Sequence, residues 1–350
     1  MKQSRYHLRG LAAAIFVLVT ASAFAQQNRV AEIAGYEGAD RQQRLLEGAK
    51  KEKELTFYSS IPPQDIAAVV AAFDKKYGIK VKVWRADSEG FLQRILNEAK
   101  ARRFEVDIAA GSTSAMEPLY RESLLQEVKS PYLADLRPGT VAPHAQWAAV
   151  YLSVFVQAYN TNLVNKDALP KSFADLARPE WKGKLAIEAD DFDWFAEIVR
   201  HLGEAQALRL FRDIVALNGI SIRKGHSLLN NLIAAGEVPL ALSAYGFLAE
   251  QAKRHGAPVD WFMLPPTIAR ATAQGLMRNA PHPYAAVLFY DFLISDAQQV
   301  LADRDFVPAI GKIDTAFTRR PVNIIDSALM LDESRKWQEL FQRTIVSPSR

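Results

Sequence analysis

Apolar residues recur along this chain with two alternating periods, and that alternation predicts most of its elements. Leu55–Ser59 is a short apolar run with the length of a strand. Ser60, Pro62 and Pro63 then open a helix, because serine caps and proline is tolerated in a first turn. Ile66, Val69, Val70, Phe73 and Tyr77 share one helical face, and Gly78 ends the helix. Ile79–Trp84 alternates apolar residues with lysine, which predicts a strand with one solvated face. Ser88 is placed to cap the next helix, whose buried face is Phe91, Leu92, Ile95, Leu96 and Ala99. Val106–Ala110 predicts a third strand, running into Gly111-Ser112-Thr113-Ser114 and another helix. Three strand–helix units in succession predict a mainly parallel α/β sheet.

The rhythm breaks at Trp147–Tyr159, a long apolar strand pattern followed by the turn-like Asn160-Thr161-Asn162. It then resumes with strands at Leu185–Glu188, Ile220–Arg223, Pro239–Ala244 and Val259–Leu264. Helices are predicted at Phe192–Leu202, Ala205–Leu217, Ser227–Ala235 and Phe247–His255. Gly275–Met277 and a helix at Tyr284–Ile294 read as a return to the first set. The economical layout is two α/β lobes with the second inserted into the first. Lobe 1 takes residues 55–148 plus 265–320, lobe 2 takes 149–264, and 321–350 form a tail packing on the lobes. Residues 26–54 form a polar N-terminal helical extension.

The N-terminus changes the picture. Lys2, Arg5 and Arg9 precede an apolar run from Leu11 to Val19, then Ala23-Phe24-Ala25. This is the pattern of an export signal cleaved after Ala25, and the run is too short for a spanning helix of about 20 residues. The chain has 350 residues, 43 basic and 39 acidic, and no cysteine. Without the leader's three basic residues the charge is nearly balanced, which gives no reason to expect nucleic-acid binding. The absence of cysteine excludes disulfides, thiol nucleophiles and thiolate metal sites. The expected product is an exported, monomeric protein with no cofactor.

Candidate chemistry sits where an open α/β sheet binds ligands, outside the carboxyl ends of its strands. The first lobe offers Ser59 and Ser60, then Arg85, then Ser112 and Thr113, all beside helix N-termini suited to anionic oxygens. The serines either contact a ligand or cap their helices. The second lobe offers Asp191 and Trp194, a carboxylate for a ligand ammonium and a ring to stack on its skeleton. It adds His226 at another strand-to-helix corner, Tyr245 after a strand, and Arg270 on the returning segment. Catalytic patterns are missing. Gly225-His226-Ser227-Leu228-Leu229 lacks the second glycine of a nucleophile elbow, and no phosphate-binding or dinucleotide-binding glycine loop occurs. The protein is not expected to be an enzyme.

Several stretches together resemble a known family. They are Leu55-Thr56-Phe57-Tyr58-Ser59-Ser60, Phe73-Asp74-Lys75-Lys76-Tyr77-Gly78, Tyr159-Asn160-Thr161-Asn162, Leu169-Pro170-Lys171-Ser172-Phe173, Trp181-Lys182-Gly183-Lys184-Leu185 and Gly236-Glu237-Val238-Pro239. In this order the chain resembles the periplasmic solute-binding proteins of ABC transporters, the two-lobed class that includes ferric-ion binders. The resemblance implies two Rossmann-like lobes joined by extended hinge crossings, the type II periplasmic binding protein fold. It implies capture of a small polar solute between the lobes and delivery to an ABC permease in the inner membrane. Alternatives are a ferric or chelated-iron carrier and a binding protein serving a membrane sensor. Ferric members use a histidine, a glutamate and two adjacent tyrosines. Those positions fall here on Pro62, Ser112, Gly246 and Phe247, with Tyr245 one residue early, which is a poor donor set for a hard ferric ion.

Overall fold

The computed structural model describes residues 26–319 and 321–347. The export signal and its cleavage site after Ala25 lie outside the described residues. Twelve strands follow in chain order: β1 (Glu54–Ser59), β2 (Lys80–Arg85), β3 (Ile108–Ser112), β4 (Leu125–Gln126), β5 (Ala148–Asn160) and β6 (Leu185–Glu188). They continue with β7 (Ser221–Arg223), β8 (Leu240–Tyr245), β9 (Val259–Phe262), β10 (Ile268–Met277), β11 (Val307–Pro308) and β12 (Asn323–Ile324).

The chain divides into two units. The first runs to Val150 and takes up Ala273–Ala297; the second is Tyr151–Thr272 with everything from Gln298 onward. The passage out therefore falls inside β5 and the passage back inside β10. In the first unit β1 lies between β2 and β3 and is parallel to both, with Ser59 opposite Arg85. Helices Pro63–Tyr77, Ser88–Lys100 and Thr113–Arg121 each follow one of these strands. Gly78 adopts φ +68° and ends the first of them, a left-handed conformation that a side chain would resist. Asp87, not Ser88, caps the second: its carboxylate accepts from Gly90 N at 2.7 Å. The core is aromatic, with Phe73 edge-on to Phe289 and Phe292.

In the second unit β6 lies between β7 and β8 and is parallel to both, but β5 runs antiparallel to β8, β9 and β11. Each three-strand block is thus parallel, as expected of a mainly parallel sheet, and antiparallel pairing enters at β5, where the rhythm of the sequence breaks, and between β10 and β4.

Two boundaries differ from the sequence expectation. The segment 26–54 is not a separate extension, because Arg41 is buried against Asp291 and Glu52 accepts from Ala285 N at 2.8 Å, both in the first unit. The segment beyond 298 belongs with the second unit. Helices Ser327–Asp332 and Ser334–Phe341 carry Met330, Trp337 and Phe341 into one apolar cluster with Phe195, Phe211 and Trp194. Their apolar spacing is a helical face, which is why they are core and not tail.

Candidate functional site

Polar side chains gather at the carboxyl ends of the parallel strands of each unit. In the first unit they are hydroxyls. Ser88 Oγ donates to Ser60 Oγ at 3.2 Å and accepts from Ser112 N at 3.1 Å, while Ser112 and Ser114 share a hydrogen bond of 2.7 Å. Ser60 and Ser114 stand at the starts of helices whose unpaired N–H groups favour negative charge. Ser112 makes no capping bond to its own helix, so its hydroxyl is not committed to the backbone. Ser59 does not fit its expected role. It is fully buried and accepts from Ile61 N at 3.1 Å, so it shapes the turn after β1 and faces no solute. Thr113 is likewise buried as the first residue of its helix. Arg85 is exposed at the end of β2.

In the second unit the side chains are charged and largely buried. Arg270, on β10, donates through Nε to Asp193 Oδ2 at 2.7 Å and through Nη2 to Asp191 Oδ1 at 3.0 Å. Its remaining Nη1 donates to the Tyr245 hydroxyl oxygen. Asp191 and Asp193 sit at the start of helix Phe192–Leu202 after β6, Tyr245 ends β8, and His226 begins helix His226–Ala235 after β7. Four residues expected from the sequence, Asp191, His226, Tyr245 and Arg270, are therefore brought together. Trp194 is not among them. It is 1% exposed and packs among Phe155, Phe173 and Phe211, so it is a core residue with no face to stack on a solute.

Two members were not among the chosen contacts, although Asp193 belongs to the same run of carboxylates as Asp191. Asp193 shares the Arg270 guanidinium with Asp191, and Glu188 closes β6. Glu188 accepts from Asp190 N at 2.6 Å and from Gly225 N at 2.8 Å, pinning the two strand-to-helix turns together. Gly225 has φ +96°, a value that lets its N–H face Glu188 where a side chain would be strained. The available signal was an acidic residue at a strand end followed at once by an acidic helix start.

The field of the cluster divides its acids. Burial alone would raise the Asp191 carboxyl, but His226 and Arg270 outweigh it and hold Asp191 below the ordinary carboxylate range. Glu188 is pushed up, first by burial and then by Asp191. Burial raises the Tyr245 phenol strongly; Arg270 opposes this, while Asp191 and Asp193 reinforce it. Burial works against the Arg270 charge, yet Asp193, Tyr245 and Asp191 keep it firmly protonated.

Of the positions that the sequence resemblance implied for a four-ligand set, Pro62 precedes helix Pro63–Tyr77, Ser112 ends β3, and Gly246 and Phe247 begin the helix after β8. Phe247 is buried against Phe306, and the Tyr245 hydroxyl is engaged by Arg270. These residues offer no pair of phenolates.

Comparisons with known proteins agree with the architecture. The Fe(3+)-binding periplasmic protein of Serratia marcescens is 25% identical over 195 residues, 55% of this chain and 57% of that protein. Iron uptake protein A1 of Synechocystis is 24% identical over 276 residues, covering 73% and 75%. The chain thus spans little more than half the length of the Serratia relative. Among solved structures, the periplasmic binding protein AfuA from Actinobacillus pleuropneumoniae, with fructose-6-phosphate bound, aligns with a TM-score of 0.72 at 18% identity over 84% of this chain and 99% of that one. Iron-bound HitA from Pseudomonas aeruginosa aligns at 0.69 and 19% over 82% and 98%. The fold is that of the type II periplasmic binding proteins. The sequence profile of the bacterial extracellular solute-binding proteins matches residues 55–306, and this chain belongs to that family.

Proposed function

We propose that this protein is the substrate-binding component of an ABC importer, exported to the periplasm, where it takes up a small polar solute and hands it to a membrane permease. The family match across residues 55–306 carries this reading, because it spans the serine cluster of the first unit and the charged cluster of the second. The mechanism is conformational. A solute that binds one arrangement of a two-unit protein more tightly shifts the population toward it, and the permease reads that state. Taken unit by unit, the candidate solute contacts are Ser60, Ser112 and Arg85 in the first and His226 and Tyr245 in the second, with Arg270 and the buried Asp191 behind them.

The chemistry favours an organic anion that also carries an amino group. Hydroxyls and helix N-termini suit carboxylate, phosphate or phosphonate oxygens, and the acidic second cluster suits an ammonium. That a protein of this fold holds fructose-6-phosphate is consistent with a phosphorylated solute. The names of the sequence relatives favour a second reading, iron, and since Pro62, Gly246 and Phe247 offer no side-chain donor, that reading fits a chelated ion.

Mass spectrometry of solute carried through native purification tests the proposal. The expected result is a defined polar metabolite that raises the melting temperature on re-addition, by about 2.7 kcal/mol of stabilisation at a hundredfold excess over Kd. Protein that carries no solute, and that no sugar phosphate, amino acid, phosphonate or ferric citrate stabilises, overturns it.

A further inference from the structure

The charged cluster of the second unit is short of positive charge. Asp191, Asp193 and Glu188 are all buried, and Arg270 is the guanidinium among them. Asp193 takes both Nε and Nη2 of Arg270, so the arginine is largely neutralised by one carboxylate. With His226 neutral, as a metal-binding imidazole must be, formal charges leave two negative charges in a site that water barely reaches. Buried charge is expensive unless it is paired or coordinates a metal.

Where the deficit lies is visible in the hydrogen bonds. Asp191 is 0% exposed; Arg270 donates to its Oδ1, while its Oδ2 has no partner at good hydrogen-bonding geometry among the described residues, the Ser243 hydroxyl being the neighbour that favours its charged form. Neither ring nitrogen of His226 has such a partner, although Nε2 lies 3.2 Å from Asp191 Oδ1. Donor atoms of Glu188, Asp191 and His226 all lie within 4.8 Å of one another. A cation bonded at about 2.0–2.2 Å to each needs donors separated by little more than 3–4 Å, so a small inward movement suffices. Each Glu188 oxygen accepts a single N–H and keeps a lone pair.

We propose that Glu188, Asp191 and His226 form a binding site for a divalent first-row cation of the zinc class. Two carboxylates and a neutral imidazole are the donors such an ion takes, and its two charges cancel the deficit left by Arg270. The His226 side chain, 14% exposed, gives the ion its way in. The site is distinct from any four-ligand ferric site, since it uses no phenolate: Tyr245 gives His226 a stacking surface and its hydroxyl to Arg270. A bound ion would lock the turns after β6 and β7, the segments that present Asp191 and His226.

The experiment uses the full mature chain, stripped with chelator and free of solute, titrated with zinc chloride and with manganese chloride by calorimetry. The expected result is one ion per chain with a raised melting temperature. Loss of a donor weakens such sites at least about 10- to 100-fold. His226→Ala should show this, and His226→Phe should show it too while keeping a ring on Tyr245. Glu188→Gln, nearly isosteric, should weaken binding without loss of fold. Zinc absorption-edge fine structure should report one imidazole among oxygen neighbours. No binding of either ion to the native chain, or binding by folded His226→Phe as tight as by the native chain, overturns the proposal.

Discussion

His226 lies flat on Tyr245, with ring centroids 3.6 Å apart and planes 19° from parallel. Beyond the stack the Tyr245 hydroxyl accepts from Arg270, and Arg270 binds Asp191 and Asp193. The ends of β6, β7 and β8 and a point on β10 are thereby tied into one polar unit, although their residues are as much as 79 apart in sequence. Tyr245 is thus less a free hydroxyl for solute than the middle of a network.

Arg270→Met tests that network. Removing the guanidinium leaves two buried carboxylates without their counter-charge, a loss expected to cost about 3–5 kcal/mol. Urea unfolding should show the midpoint falling with little change in slope. A loss below about 1 kcal/mol would mean that the carboxylates are satisfied by other groups.

In the first unit, stability should depend on pH through His282. Its Nδ1 lies 2.9 Å from Asp107 Oδ2, and this hydrogen bond raises the imidazole pKa above its ordinary value, burial opposing. A raised folded value means that folding favours the protonated ring. The contribution is therefore complete below about pH 6.5, the unfolded value, and is lost as pH rises through the folded value. Thermal unfolding of His282→Asn followed from pH 6 to 9 should lack this decline. A native chain and variant with parallel profiles would refute the pairing.

Ferric citrate should give no strong visible band. Tyrosinate-to-iron colour needs a phenolate, and the Tyr245 phenol is raised well above its ordinary value and held by Arg270, with Phe247 beside it. Absorption spectroscopy with one equivalent of iron decides this. An intense band with one iron per chain would show that the cluster opens to expose Tyr245.

Trp337 should be a core residue of the second unit. It is 1% exposed, and its Nε1 donates to Glu333 Oε2 at 2.7 Å. Trp337→Ala is expected to destabilise by about 3–5 kcal/mol, through lost burial and the cavity left behind. Calorimetric melting that is unchanged in this variant would mean that the C-terminal helices dock without contributing to the core.

Much of the fold was legible because strands and helices announce themselves through local period. Leu185–Glu188 and Phe192–Leu202 were read with the bounds they have. Errors arose where two local signals compete. Ser88 and Asp87 are both good caps, and only the helix's first turn decides for Asp87. Trp194 sits one residue past a charged run at a strand end, so sequence put it near the site, while its helical phase turned it into the core. Ser59 looked free because nothing local shows that Ile61 N turns back onto it.

The sequence by itself determined the family, the alternation of strand and helix, and the strand ends where polar residues collect, since each depends on residues close together in the chain. Tertiary structure alone decided what those residues do to one another. Arg270 meets Asp193 and Tyr245 only because β10 returns to the strands that carry them, and whether a carboxylate is paired or left wanting a cation depends on that meeting. Charge and burial are properties of neighbours in space, and a linear pattern does not contain them.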